Sequence, residues 1–152
     1  MDGSPEMTLV ERVESVKAGL FAGLSVAIAF SILALINDLI LASQFQPLLG
    51  LQRATTGGWL SGAIAIVAGL LFGITYRYVV RQDQNSHLKS GAVLAFGLVR
   101  GLAQIDVGLA TQGALLPFVV LALESILLFA IARLALDWAM NQGWLRSFRG
   151  LS

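Results

Sequence analysis

The sequence predicts an all-α integral membrane protein: a bundle of four transmembrane helices with a short N-terminal amphipathic helix. Of its 152 residues, 57% are hydrophobic and 12% are charged, and the mean hydropathy is +0.79. A soluble domain usually carries about 25% charged residues. The charges are also uneven, because long apolar stretches reach the ~18–20 residues that span a bilayer.

The distribution of charge divides the chain into three segments. Residues 1–17 form a surface segment, in which Met7 to Lys17 has helical spacing of apolar residues and is predicted to be an amphipathic helix. An N-terminal extension of the first span is the alternative. Residues 18–138 form the four-helix transmembrane domain, and residues 139–152 form a short basic tail. The spans are predicted at about 18–42, 57–80, 89–109 and 115–136.

Most basic residues fall on one side of the predicted membrane. The side that contains both termini has the following lysine and arginine residues: Arg12, Lys17, Arg77, Arg81, Lys89, Arg133, Arg146 and Arg149. The other side has Arg53 alone. Basic residues favour the cytoplasmic side, so both termini are predicted to be cytoplasmic. The leader is net acidic and its apolar run is long, unlike a cleaved signal peptide.

Small residues recur along one face of the second span. They are Gly58, Gly62, Ala65, Gly69 and Gly73, at spacings of 4, 3, 4 and 4. A stripe without side chains lets a neighbouring backbone approach closely, which is how helices associate in lipid. Helix packing is therefore the preferred interpretation, and Gly97 and Gly101 are assigned the same role in the third span. A stripe that lines a substrate path is the alternative.

Two charges lie near the middle of the last two apolar stretches. Arg100 is twelve residues before Gln112 and Glu124 is twelve residues after it. If the chain turns back at residues 110–113, both charges reach the same depth. A central Arg or Asp costs about 2.5–3.5 kcal/mol on the insertion scale, so an Arg100–Glu124 ion pair is predicted. Gln104 and Asp106 add polarity to the third span, so its insertion into the bilayer is only marginally favourable without neighbouring helices.

Three roles remain open for this predicted pair. It can fix the register and rotation of the helices, or relay protons with Glu124 as the titrating group. It can also be a docking site for a partner's transmembrane helix or for a lipid or pigment head group. Ionisable residues inside a membrane are rare and often functional.

The composition argues against most chemistries. The chain has no cysteine and a single histidine, His87 in a predicted loop, which removes zinc, iron–sulfur and bis-histidine haem sites. A net charge of +1 gives no reason to expect nucleic acid. No nucleophile–base pair stands out, so the sequence predicts no enzyme activity, no cofactor and no metal.

Several stretches carry a resemblance to a known group. They are FGITYRYVVR at 72–81, HLKSG at 87–91, FGLVRGLAQID at 96–106 and ESILLF at 124–129. Together they resemble a group of small uncharacterised polytopic membrane proteins of cyanobacteria and plastids. The resemblance implies a photosynthetic source and a thylakoid or plasma membrane location. It assigns no activity and no functional residue.

Two classes of function stay open. The first is a non-enzymatic accessory or assembly factor that lies in the lipid bilayer and binds other membrane-protein subunits. It is favoured by small size and by the stripes of small residues. The alternative is a small oligomeric transporter or channel, in which Arg100, Glu124 and Gln104 line a path.

Overall fold

The fold is a bundle of helices, as the sequence predicts. The computed structural model describes residues 9–46, 58–80, 85–112 and 114–146. These residues form four long helices: α1 (Leu9–Ile36), α2 (Gly58–Val80), α3 (Ser86–Ala110) and α4 (Leu115–Asn141). Each is long and apolar enough to span a bilayer. Most of the predicted loop between the first two spans and the last residues of the tail lie outside the described residues.

The first helix is longer than the span predicted for it. It continues through a π-helical turn at Asn37–Leu41 and a last α-helical turn at Ala42–Gln44. At its other end, the segment predicted as a separate surface helix is continuous with α1 from Leu9 onward. The structure therefore has the alternative arrangement, an N-terminal extension of the first span. The reason is that polar groups of this segment bond to α2 and to the end of the chain, as described below.

Two antiparallel hairpins make up the bundle. In the first, a Cβ added at Gly69 would lie 2.9 Å from Val26 of α1, which shows how closely α1 and α2 approach. In the second, a Cβ added at Gly97 would lie 2.8 Å from the Ile126 Cα of α4. These distances are too short for a larger residue, so the small residues set the separation of the helices.

The two hairpins join mainly through α1 and α4, whereas α2 and α3 share fewer contacts. An aromatic cluster fills the junction. Phe72 lies at its centre, with ring centroids 5.3–5.4 Å from those of Tyr76, Phe96 and Phe129. Phe72 and Phe129 are fully buried. Burial of these large rings holds one hairpin against the other in the half of the bundle nearer the termini.

The outer surface is apolar, as a membrane protein requires. On α1, large aliphatic side chains recur every three or four residues and are more than half exposed: Leu20, Leu24, Ile28, Ile32 and Leu35. This spacing puts them on one face of the helix. A continuous exposed apolar face of this length suits contact with lipid.

The chain turns back sharply where α4 ends. Gly143 adopts φ +75°, a left-handed conformation that favours glycine. Its N–H donates to the Met140 carbonyl, and the Trp144 N–H donates to the Ala139 carbonyl. This pair of bonds is the Schellman motif that closes many helices. It directs the next residue, Leu145, into the core, where it is 6% exposed.

Candidate functional site

A cavity of about 680 Å³ lies between the two hairpins. It occupies the half of the bundle that contains the α3–α4 turn, because its lining includes the end of α1 and the beginnings of α2 and α4. Most of the lining is apolar, with Phe30, Phe96 and Phe118 among its larger side chains. The fewer contacts between α2 and α3 leave room for it.

Six polar side chains line the same cavity: Asn37, Ser61, Arg100, Gln104, Glu124 and Ser125. Asn37 is 1% exposed and is the first residue of the π-helical turn. Its Nδ2 donates a hydrogen bond of 3.0 Å to Glu124 Oε2. A π turn widens the helix locally and occurs often at functional sites. The bond ties the end of α1 to the middle of α4.

The predicted Arg100–Glu124 ion pair is absent from the described residues, where the ion pairs within 4.0 Å join other side chains. Glu124 is bonded to Asn37 instead. Arg100 Nη2 donates a long hydrogen bond of 3.5 Å to the Ser61 carbonyl of α2. Both residues line the same cavity. The prediction of a direct ion pair was wrong, because Asn37 after α1 and the Ser61 carbonyl of α2 supply the hydrogen bonds instead.

The other two predicted polar residues of α3, Gln104 and Asp106, lie in different surroundings. Gln104 lines the cavity, and the Ser125 hydroxyl lies 2.7 Å from its Oε1. That hydroxyl is also 2.9 Å from the Leu121 carbonyl, and its single proton can be donated to either acceptor. Asp106 is exposed and is not part of the lining.

The predicted stripe of small residues packs against α1 along most of its length. Ala65, Gly69 and Gly73 are buried, and a Cβ at Gly62 would lie 3.2 Å from the Phe30 ring. At Gly58, a Cβ would have no neighbour within 4 Å among the described residues. In the second hairpin, both predicted glycines, Gly97 and Gly101, face α4.

A second polar cluster lies at the opposite end of the bundle, and charged helix ends were its only signal in the sequence. Arg77 is 2% exposed. It donates hydrogen bonds of 2.6 Å to both Glu11 Oε2 and Ser15 Oγ, and one of 2.9 Å to the Arg146 carbonyl. The Arg146 N–H donates in turn to Glu14 Oε2 at 3.2 Å. Arg77 therefore links the first turns of α1 to the segment that follows α4 through hydrogen bonds.

Asp137 organises the neighbouring part of that end. It accepts a hydrogen bond of 2.8 Å from the Tyr76 hydroxyl and pairs with Lys89 at 3.2 Å. Arg133 lies 3.7 Å from its other oxygen and also donates to Ser90 Oγ at 2.9 Å. Tyr76 is thus a buried hydrogen-bond donor.

These features define a multi-pass membrane protein whose helices enclose a mostly apolar cavity with six polar side chains in its lining. No protein-family model, curated protein or solved structure matches the chain. Within the described ranges, no group of three or more His, Cys, Asp or Glu residues is placed to hold a metal ion.

Proposed function

We propose that this chain is a non-enzymatic accessory protein of a membrane that holds a small lipid-like molecule between its hairpins. The observation that carries the proposal is the cavity of about 680 Å³, apolar over most of its lining, with a group of polar side chains in it. Ligand sites in proteins have about 300–1,000 Å³ and combine apolar walls with a few polar groups.

The size of the cavity suits a small molecule. Its volume of about 680 Å³ lies within the ~300–1,000 Å³ of small-molecule sites, and its lining is mostly apolar. An acyl or prenyl chain therefore matches both its size and its chemistry.

The surroundings of the cavity provide a route from the bilayer. Its α2 side includes Ile64, which is 53% exposed, and its α3 side includes Val99, which is 72% exposed. Both residues line the cavity and also face outward, so its margin between α2 and α3 is apolar and accessible from lipid. A lipid-like guest could enter sideways without crossing a polar surface.

Filling the cavity tests the proposal. Ala103 of α3 lines it, and Ala63 of α2 is a matched exposed alanine outside it. After reconstitution in a total lipid extract and gentle extraction, native mass spectrometry should find a bound lipid-like molecule on the wild type. Ala103→Trp should lose it and Ala63→Trp should keep it. A wild-type protein that retains no such molecule, or two variants that behave alike, would contradict the proposal.

The accessory role predicts association with other membrane subunits, whereas the transporter alternative predicts a homo-oligomer. Mild-detergent purification from native membranes, followed by native gels, tests it. A stoichiometric set of membrane subunits supports the role, and a protein that migrates alone counts against it. The photosynthetic membrane remains a prediction from the resemblance.

Transport is the second candidate, because Arg100 and Glu124 both line the cavity. The aromatic cluster around Phe72 fills the other half of the bundle, so a path through one chain would require these rings to move. Proton-coupled flux in liposomes that Glu124→Gln abolishes would favour transport. Absence of flux in wild-type liposomes would count against it.

The predicted orientation can be tested separately. Because the chain has no cysteine, a single cysteine at Gln142 gives an unambiguous label on the side of the termini. The positive-inside bias predicts that this cysteine is labelled from the cytoplasmic side only. Labelling from the opposite side in intact cells would reverse the assignment.

A further inference from the structure

We infer that the cavity selects an amphiphile with a negatively charged head group, which Arg100 binds at the gap between α2 and α3. The inference rests on the proposed binding function and names the chemistry of the guest. It starts from a cation without an anion. Arg100 lines the cavity, and no carboxylate lies within 4.0 Å of its guanidinium among the described residues.

The guanidinium of Arg100 has one nitrogen that is free to bind a guest. Its Nη2 donates the long hydrogen bond of 3.5 Å to the Ser61 carbonyl, and its Nε is buried. Its Nη1 makes no hydrogen bond within the described residues and is not one of their buried atoms that lack a partner. Nη1 is therefore accessible, either from the cavity or from the lipid beside it.

The surroundings of Arg100 make an anion its most favourable partner. Arg100 lies inside the membrane-spanning helix α3, where charged side chains pair with an opposite charge or with a backbone carbonyl. The Ser61 carbonyl is at the limit of hydrogen-bond distance, so that bond is weak. A guanidinium stays charged and has only donors. A hydrogen bond between two ionised groups is roughly twice as strong as a neutral one, so an anionic head group stabilises Arg100 more than a hydroxyl does.

Arg100 also lies where a lipid would enter. Val99, the residue before it, lines the cavity and is 72% exposed. The contact between Arg100 and the Ser61 carbonyl crosses the gap from α3 to α2. An amphiphile that enters through this gap therefore meets Arg100 with its head group, while the apolar walls of the cavity receive its chain.

Glu124 would repel an anionic guest, but it lies on another side of the bundle. Among the described residues of the lining, it is the only other charged side chain. It accepts the hydrogen bond from Asn37, which joins α4 to the end of α1, whereas Arg100 contacts α2. A head group bonded to Arg100 at the gap is in direct contact with the positive charge and farther from Glu124. Coulomb energy falls with distance, so the attraction exceeds the repulsion.

Three photoreactive probes test the inference on the unchanged protein in liposomes. Each has the same C16 chain with a diazirine at its middle, and they differ only at the end: a sulfonate, an alcohol or a trimethylammonium group. The sulfonate is the anion because it is a strong acid and stays ionised. Labelled residues are mapped by peptide mass spectrometry.

The quantity compared is the labelling of cavity residues on α3 and α4 divided by the labelling of the exposed face of α1. This ratio corrects for unequal uptake of the probes by the bilayer. It should be at least about fivefold higher for the sulfonate than for the alcohol, the factor that corresponds to doubling the strength of one hydrogen bond. The trimethylammonium probe should have the lowest ratio.

Three variants assign the preference to Arg100. Arg100→Gln removes the charge and should lose most of the preference for the sulfonate. Arg100→Lys keeps the charge and should keep the preference. Arg12→Gln removes a positive charge at an exposed position of α1 outside the cavity, and it should behave as the wild type does. The comparison of probes on the wild type does not depend on any variant folding.

The outcomes separate this inference from the proposed function. Equal cavity labelling by all three probes would overturn the selectivity and leave lipid binding intact. Strongest labelling by the alcohol or by the trimethylammonium probe would overturn it too, the latter in favour of Glu124 as the binding charge. A preference for the sulfonate that survives Arg100→Gln would show that Arg100 does not create it. Labelling confined to the outer faces of the helices for all three probes would overturn both the inference and the proposed function.

Discussion

The side-chain amide of Asn37 is bonded to the carboxyl of Glu124 at 3.0 Å, across 87 residues of sequence. Asn37 begins the π-helical turn that follows α1, and Glu124 lies in the middle of α4. The bond therefore links the two hairpins in the half of the bundle that contains the cavity. A polar group in lipid has no water to bond, so such a link specifies how the hairpins dock.

Asn37→Leu should destabilise the protein by about 1.5–3 kcal/mol, the range for a hydrogen bond to a charged group. The substitution keeps a side chain of similar size and leaves Glu124 without its amide donor. Unfolding in detergent micelles, followed by circular dichroism, measures the change. Ser31→Ala is the control, because the exposed Ser31 hydroxyl bonds only within its own helix, to the Ala27 carbonyl. Equal stability of the two variants would show that the Asn37 bond does not contribute.

Gly73→Ala should also be destabilising, for a steric reason. A Cβ at this position would overlap the Ala18 carbonyl oxygen and lie 2.6 Å from the Ala22 Cβ. Backbone atoms cannot move aside as a flexible side chain can, so α1 and α2 must separate. Overpacking of this kind costs about 1–3 kcal/mol. Thermal unfolding of the purified variant tests this.

Gly91→Ala provides the matched control for that substitution. Gly91 lies inside α3, and a Cβ there would meet open space. The better helix propensity of alanine should leave the protein unchanged or more stable by up to about 1 kcal/mol. If both alanine variants gained stability, the close approach of α1 and α2 would not depend on Gly73.

Removing the buried guanidinium should release the end of the chain. Arg77→Leu deletes the bonds to Glu11, Ser15 and the Arg146 carbonyl. Breaking a buried charged pair costs about 3–5 kcal/mol of folding stability. The cost here should be smaller, because the Glu11 side chain is 25% exposed and water partly screens the interaction. The expected result is faster trypsin cleavage after Arg146, measured by mass spectrometry. Arg12→Leu, at an exposed position of α1, should leave the cleavage rate unchanged.

The four helices could be predicted because bilayer thickness imposes a length on each apolar run. The roles of Gly69 and Gly73 were also predictable, since helical periodicity puts small residues on one face. The open space at Gly58 was not predictable, because periodicity does not show how far along α2 the contact with α1 extends. Packing of Gly19 and Gly23 against Leu70 was missed, although the same spacing of four marks them.

The polar contacts between helices were the hardest to predict. Arg100 and Glu124 are equally distant from the α3–α4 turn and line one cavity. The predicted direct pair failed because the depth of a residue does not determine its rotation about the helix axis. The π-helical turn that positions Asn37 leaves no signature in the local sequence. Arg77 looked like an ordinary basic residue at a helix end, because Glu11, Ser15 and Arg146, to which it is hydrogen-bonded, are distant from it in the sequence.

A charge swap distinguishes the structure from the sequence-based prediction. If Arg100 and Glu124 were a direct pair, Arg100→Glu combined with Glu124→Arg would restore part of the stability lost by Glu124→Arg alone. In the structure the Asn37 Nδ2 donor faces Glu124, so an arginine there would meet a donor instead of an acceptor. The Arg100→Glu substitution would also bring a carboxylate close to the Ser61 carbonyl, where two acceptors would face each other. We therefore expect the double variant to be no more stable than Glu124→Arg.

Glu124→Gln keeps an acceptor for Asn37, so it should lose less stability than Glu124→Arg or the double variant. The expected loss is about 1 kcal/mol, the difference between a charged and a neutral hydrogen-bond acceptor. Unfolding of all three variants in the same detergent provides the comparison, and a clear rescue by the swap would restore the direct ion pair.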